Sequence, residues 1–245
     1  MEKEPDVNKN TNISKLIIDR VGDIEITHED GLNPLHRAVD EGMLDVVDYL
    51  IKKGANIQSK TKNGNTPLHV AARSGNLEVA KFLVDNGADI HARSENYYNC
   101  TPLQFAVICS KLEVAKFLIS GVDVDTVDNY GNTPLHLCGI SSNIPSVILL
   151  LQCGAAYEMK TNEGKKPLDL AESVRKGNQE LVSELVKKKN GIANAVDCNG
   201  CSPLYFAVSN GFKDITSLLL ENGANDNIPL LSRSTDRLLI LVEKK

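Results

Sequence analysis

Thr66-Pro67-Leu68-His69-Val70-Ala71-Ala72-Arg73-Ser74-Gly75 reads as the start, body and end of one short helix. Thr66 is suited to the N-cap, where its hydroxyl can accept from amides of the first turn. Pro67 fits the first helical position, because its missing N–H costs nothing there and its φ is already set. Leu68, Ala71 and Ala72 form a narrow apolar face, and Gly75 ends the helix after about two turns. A helix below about 12 residues is marginal in water, so this one needs a neighbour.

The chain supplies several. Aligned on the proline, the copies are Asn33-Pro34-Leu35-His36, Thr66-Pro67-Leu68-His69, Thr101-Pro102-Leu103-Gln104, Thr133-Pro134-Leu135-His136, Lys166-Pro167-Leu168-Asp169 and Ser202-Pro203-Leu204-Tyr205. The prolines are 33, 35, 32, 33 and 36 residues apart. A second motif keeps the same beat: Gly54-Ala55-Asn56, Gly87-Ala88-Asp89, Gly121-Val122-Asp123, Gly154-Ala155 and Gly223-Ala224-Asn225. A second apolar helix precedes each, as in Leu77 to Asn86 with Val79, Ala80, Leu83 and Val84 inward. The glycine is its terminator.

Two interlocked motifs, one in six copies and the other in five, at a period near 33 resemble the ankyrin repeat, with six units matching. The resemblance covers residues 29–226. It implies an all-α solenoid of stacked helix pairs with projecting β-hairpin loops and a concave binding surface. It also implies that His36, His69 and His136 hydrogen-bond within and between repeats, which makes them structural rather than catalytic. Residues 1–28 are expected to hold a disordered lead and a capping half-repeat, built on Ile13, Leu16, Ile17 and Val21. Residues 227–245 are expected to form a capping helix around Leu238, Leu239, Leu241 and Val242, or a degenerate repeat.

Composition fits a core made of many small contributions, with 42% hydrophobic residues, only 4% aromatic and no Trp. A net charge of −5, with no basic block longer than Lys187-Lys188-Lys189, argues against nucleic acid. No apolar run approaches the ~20 residues of a membrane span, and the opening Met1-Glu2-Lys3-Glu4-Pro5-Asp6 lacks an apolar leader. The expectation is a cytoplasmic monomer; the nucleus, or delivery into a host cell without a leader, are alternatives.

Departures from the pattern concentrate in repeats three to five. The loop from Ala92 to Thr101 is two residues longer than its counterpart, Ser59 to Thr66, and puts Asn99 where other loops have glycine. Asn is the best substitute for glycine at a left-handed turn position. In repeat four, Gly139 lies inside a helix and Pro145 must fall in a first turn to be tolerated. Repeat five has Lys166 at the cap and Asp169 for His. Local fraying is expected in repeats four and five.

For chemistry, Cys198-Asn199-Gly200-Cys201 is the one local pattern with potential, as a zinc half-site or a dithiol. It lacks a second pair and straddles a turn, so two hairpin-tip cysteines are the simpler reading; a metal- or redox-responsive protein is the alternative. No phosphate loop, nucleophile elbow or paired carboxylates appear, so no enzyme and no cofactor are expected.

In the ankyrin family, targets are usually met by hairpin tips and exposed positions of helix one. On the matching positions, Tyr97, Tyr98 and Tyr130 sit at the tips of adjacent repeats, with Ile108 and Ile140 at the ends of their first helices. Arg73, Lys62 and Asp40 flank them. The expectation is a non-enzymatic protein–protein interaction module (adaptor, sequestering inhibitor or host-directed effector) whose partner meets an apolar-aromatic patch with a charged rim. A spacer, or a fragment of a longer repeat protein, is the competing structural reading.

Overall fold

The computed structural model describes Asp19 and residues 23–95, 98–141, 143–167, 177, 179–188, 192–194 and 202–225. The chain divides into two compact units, Met1–Lys165 and Lys166–Lys245.

The first unit holds four helix pairs: α1 (Pro34–Asp40) with α2 (Leu44–Lys52), α3 (Pro67–Ser74) with α4 (Leu77–Asp85), α5 (Pro102–Ile108) with α6 (Leu112–Ile119), and α7 (Pro134–Ser141) with α8 (Ile144–Gln152). Every first helix opens on its motif proline, as the sequence predicts. Asn33 Oδ1 accepts from the His36 N–H at 3.0 Å. In repeat three the box closes both ways: Thr101 Oγ1 accepts from the Gln104 N–H at 3.3 Å, and Gln104 Oε1 accepts from the Thr101 N–H at 2.8 Å. Gly75 takes the left-handed conformation, φ +89, and its N–H closes α3 onto Ala71 O.

Stacking supplies what such short helices lack. First helices pack in sequence, α1 on α3, α3 on α5, α5 on α7, and second helices do the same. The core is a regular double file of leucines. Leu35, Leu68, Leu103 and Leu135 come from first helices, and Leu50, Leu83, Leu118 and Leu150 from second helices; all are almost fully buried. Each such side chain contributes roughly 2 kcal/mol of hydrophobic stabilisation.

Polar straps repeat at constant register. His69 Nε2 reaches Cys100 O at 3.1 Å, Gln104 Nε2 donates to Thr126 O and Asn132 O at 3.1 and 3.0 Å, and His136 Nε2 reaches Lys165 O at 3.1 Å. In repeats one to four the residue at the fourth motif position thus ties its repeat to the next, His36 Nε2 reaching Ser59 O and Asn65 O at 3.1 and 3.3 Å. At the other end of the helix pair, Asn76 Nδ2 donates back to Val39 O at 2.8 Å and Asn143 Nδ2 to Val107 O at 3.0 Å. Asn143 also caps α8 and accepts from the Ser146 N–H, which leaves Pro145 in the first turn, where it is tolerated.

The expected hairpins are present as turn-closed loops; no extended strand is found among the described residues. The loops of repeats one, two, four and five each close with one cross-loop bond and one turn bond, such as Thr61 N–H to Asn65 O at 3.0 Å and Gly64 N–H to Thr61 O at 2.9 Å. One pair per loop is too short to form a ladder.

In the second unit, α9 (Gln179–Lys188) and α10 (Pro203–Ser209) both pack on α11 (Lys213–Glu221). Ser202 caps α10, its hydroxyl accepting from the Tyr205 N–H at 3.2 Å. Val182, Leu185, Leu204, Ala207, Ile215 and Leu219 form its core. The first helix expected after Lys166-Pro167 in repeat five lies outside the described residues. So do the N-terminal capping run, apart from Asp19, and the tail from residue 226.

Candidate functional site

Three junctions between neighbouring tips of the first unit are made by the main chain. Lys62 N–H donates to Asp30 O at 3.4 Å, Asn129 N–H to Tyr98 O at 2.8 Å, and Asn162 N–H to Tyr130 O at 2.9 Å. The approach is close enough to demand glycine. A Cβ on Gly64 would lie 2.5 Å from Glu95 N, and the residue sits at φ +73. In the longer loop of repeat three, Asn99 takes the left-handed position at φ 62, as the sequence predicts, and Tyr98 is left-handed as well, at φ 53. There, among the described residues, the junction with repeat two is made by a side chain, Ser94 Oγ donating to Asn63 O at 3.1 Å.

This geometry aligns Tyr98 and Tyr130. Their ring centroids are 4.9 Å apart at 59°. Tyr98 is 54% exposed and Tyr130 50%. Beside them Val127 is 37% exposed. Arg93 fixes the pair from below: Nη1 donates to Asn99 O at 3.0 Å and to Val127 O at 2.8 Å, spanning the two loops. The buried Asp128 carboxylate shapes the second tip, accepting from the Tyr130 and Asn132 N–H groups at 2.8 Å each and from Asn132 Nδ2 at 3.0 Å. Sequence reading missed Val127; an apolar residue in a largely polar loop was the available signal.

The remaining predicted residues form a separate row. Asp40, Arg73, Ile108 and Ile140 occupy one register at the C-terminal ends of α1, α3, α5 and α7. Arg73 Nη2 pairs with Asp40 Oδ1 at 3.1 Å, so neighbours in this row touch. Ile108 continues it, 42% exposed. A first helix of seven residues, about 10 Å long, separates this row from the tips. Lys62 belongs to the tip row of repeat two. Tyr97, Cys198 and Cys201 lie outside the described residues.

Two of the described cysteines, Cys100 and Cys138, are buried and hold no reactive thiolate. Burial pushes the Cys100 and Cys138 thiols up to about 12. No group of three or more His, Cys, Asp or Glu among the described residues could hold a metal ion. His69 is sealed in the stack, where burial lowers its pKa to about 4. Its Nδ1 accepts from the Thr66 N–H at 3.2 Å and its Nε2 faces a carbonyl, so the neutral Nε2–H tautomer satisfies both contacts. No helix among the described residues is long and apolar enough to cross a membrane.

Helix pairs strapped at a constant register, with tips and helix ends left to solvent, define a stacked-repeat scaffold. The chain belongs to the ankyrin-repeat family: it matches the family described as Ankyrin repeats (3 copies) over residues 6–94, 92–161 and 156–229. Ankyrin repeats mediate protein–protein interaction as a class and are typically non-enzymatic. The chain is 34% identical over 108 residues to the Homo sapiens protein "Neurogenic locus notch homolog protein 2", covering 43% of this chain and 4% of that protein. It is 34% identical over 94 residues to the Homo sapiens "SMC5-SMC6 complex localization factor protein 1", covering 38% and 9%. It is 30% identical over 119 residues to the Homo sapiens "Transient receptor potential cation channel subfamily A member 1", covering 48% and 10%. The matched stretch is thus at most a tenth of each of these relatives.

Proposed function

We propose that this protein is a non-enzymatic adaptor or sequestering inhibitor that captures a partner protein on the tips of repeats three and four. The observation that carries the reading is the pair Tyr98–Tyr130, half-exposed and in contact across two tips. Left-handed backbone is costly for an aromatic residue, and Tyr98 occupies it at φ 53 while contributing little to the core. Large aromatic side chains held rigidly in solvent are the groups that dominate binding energy at interfaces. Ile108 supplies an apolar contact in the second row, and the Arg73–Asp40 pair a charged margin. The buried thiols of Cys100 and Cys138 suit a reducing compartment such as the cytosol.

The test is capture from cell lysate by the wild-type chain and by Tyr98→Ala/Tyr130→Ala, with matched circular dichroism. A protein retained by the wild type and lost from the variant is the expected result. Equal retention by both refutes the tip site.

A further inference from the structure

We infer that the Tyr98–Tyr130 pair receives an uncharged, proline-rich segment of the partner in the polyproline II conformation. The inference rests on the tip site proposed above and narrows what it binds. Extended peptides that add a strand need a row of unpaired backbone groups, but the tips have already spent theirs on one another. Tyr98 O and Tyr130 O accept from Asn129 and Asn162, and Gly131 N–H is used by Asp128 O. Phosphorylated or acidic segments need an available cluster of arginines. Arg93, half-buried below the pair, is held by two carbonyls.

Several charged groups of these loops are already engaged. Lys60 pairs with Glu95 at 2.7 Å and Lys165 with Glu163 at 2.7 Å, and the Asp128 carboxylate takes three hydrogen bonds. With these charges paired or buried, the tyrosine pair itself favours an uncharged segment. What the patch does offer is two tilted aromatic faces and two phenol hydroxyls with no partner among the described residues. A polyproline II segment presents the complement: flat pyrrolidine rings, backbone carbonyls without internal hydrogen bonds, and no N–H at proline. It is also extended before binding, so little ordering entropy opposes capture.

Isothermal titration of the full chain with a polyproline peptide of roughly ten residues, about three turns, tests this, with a Gly-Ser peptide of equal length as control. Saturable binding of the proline peptide alone is expected, weakened at least about tenfold by Tyr98→Ala and by Tyr130→Ala, and less by Tyr98→Phe, which keeps the ring. No binding to the wild type, or equal binding by both alanine variants, overturns the inference. If lysate capture still depends on the two tyrosines while the proline peptide fails to bind, the tip site stands and only the proline assignment falls.

Discussion

Replacing His69 with Gln should remove a defined share of the protein's acid sensitivity while leaving the stack intact. Repeat three already carries Gln at this register. Gln104 Oε1 accepts the cap N–H and its Nε2 reaches across to the next repeat, so both contacts of His69 have a working precedent. What differs is titration. Burial lowers the His69 pKa from 6.5 to about 4. Between those values the unfolded chain binds the proton and the folded chain does not, so stability falls as pH drops. The contribution is fully present above about pH 6.5, and the total loss by pH 4 is about 3 kcal/mol. About 2 kcal/mol of it is gone by about pH 5. Urea unfolding followed by circular dichroism at about pH 8 and about pH 5 should therefore show a smaller acid loss in His69→Gln than in wild type, by about 2 kcal/mol. At the higher pH the variant should cost about 1 kcal/mol, from losing the edge-on contact of His69 with Phe105 at 5.2 Å. Identical acid slopes in the two proteins would refute the assignment of a neutral, strapped imidazole.

His36 should titrate at a higher pH than His69 in an NMR titration. Burial lowers its pKa too, but Asn33 Oδ1, 2.7 Å from Nδ1, and Ser59 O and Asn65 O at Nε2 are acceptors that oppose it, although the Asn33 N–H also points at Nδ1 from a longer 3.4 Å. Gly64→Ala should destabilise by about 1–3 kcal/mol more than Gly54→Ala in thermal or urea unfolding, since both are left-handed but only the former drives a Cβ into a neighbouring backbone. Tyr98→Gly should hold or raise the melting temperature, gaining up to about 1 kcal/mol from relief of the left-handed backbone, and yet lose the lysate partner. Loss of folding in that variant would instead make Tyr98 a structural residue.

Much of the fold was legible because an ankyrin repeat states itself locally. Thr66-Pro67 fixes a helix start, Gly75 its end, and the recurrence of both sets the period that stacking then enforces. Asn99 was readable for the same reason: a left-handed position admits few residues. What could not be read depended on registration between repeats. Asn76 and Asn143 look like ordinary N-caps, and only stacking shows that their side chains also tie back to Val39 O and Val107 O. The candidate patch showed a similar limit. Tyr98, Tyr130, Ile108 and Arg73 fall on adjacent repeats in the sequence, but the length of a helix divides them into a tip row and a helix-end row. Val127 joins the tip row because Arg93 draws its carbonyl toward the loop of repeat three.

The Ser94 link carries a mechanical consequence. Elsewhere along the tips a peptide carbonyl meets a peptide N–H, a strut with no rotatable bond of its own. Between repeats two and three the strut is a hydroxyl on a side chain, which can lengthen or swing by a rotamer change. The strap on the inner side, His69 to Cys100 O, also runs through a side chain, but that side chain is fully buried and its rotamer is held by packing. Among the described tips this joint is the most compliant, so a load is expected to open it first, with the inner strap as pivot. Tyr98 and Tyr130, both downstream of it and bolted together through Asn129, travel as a single jaw.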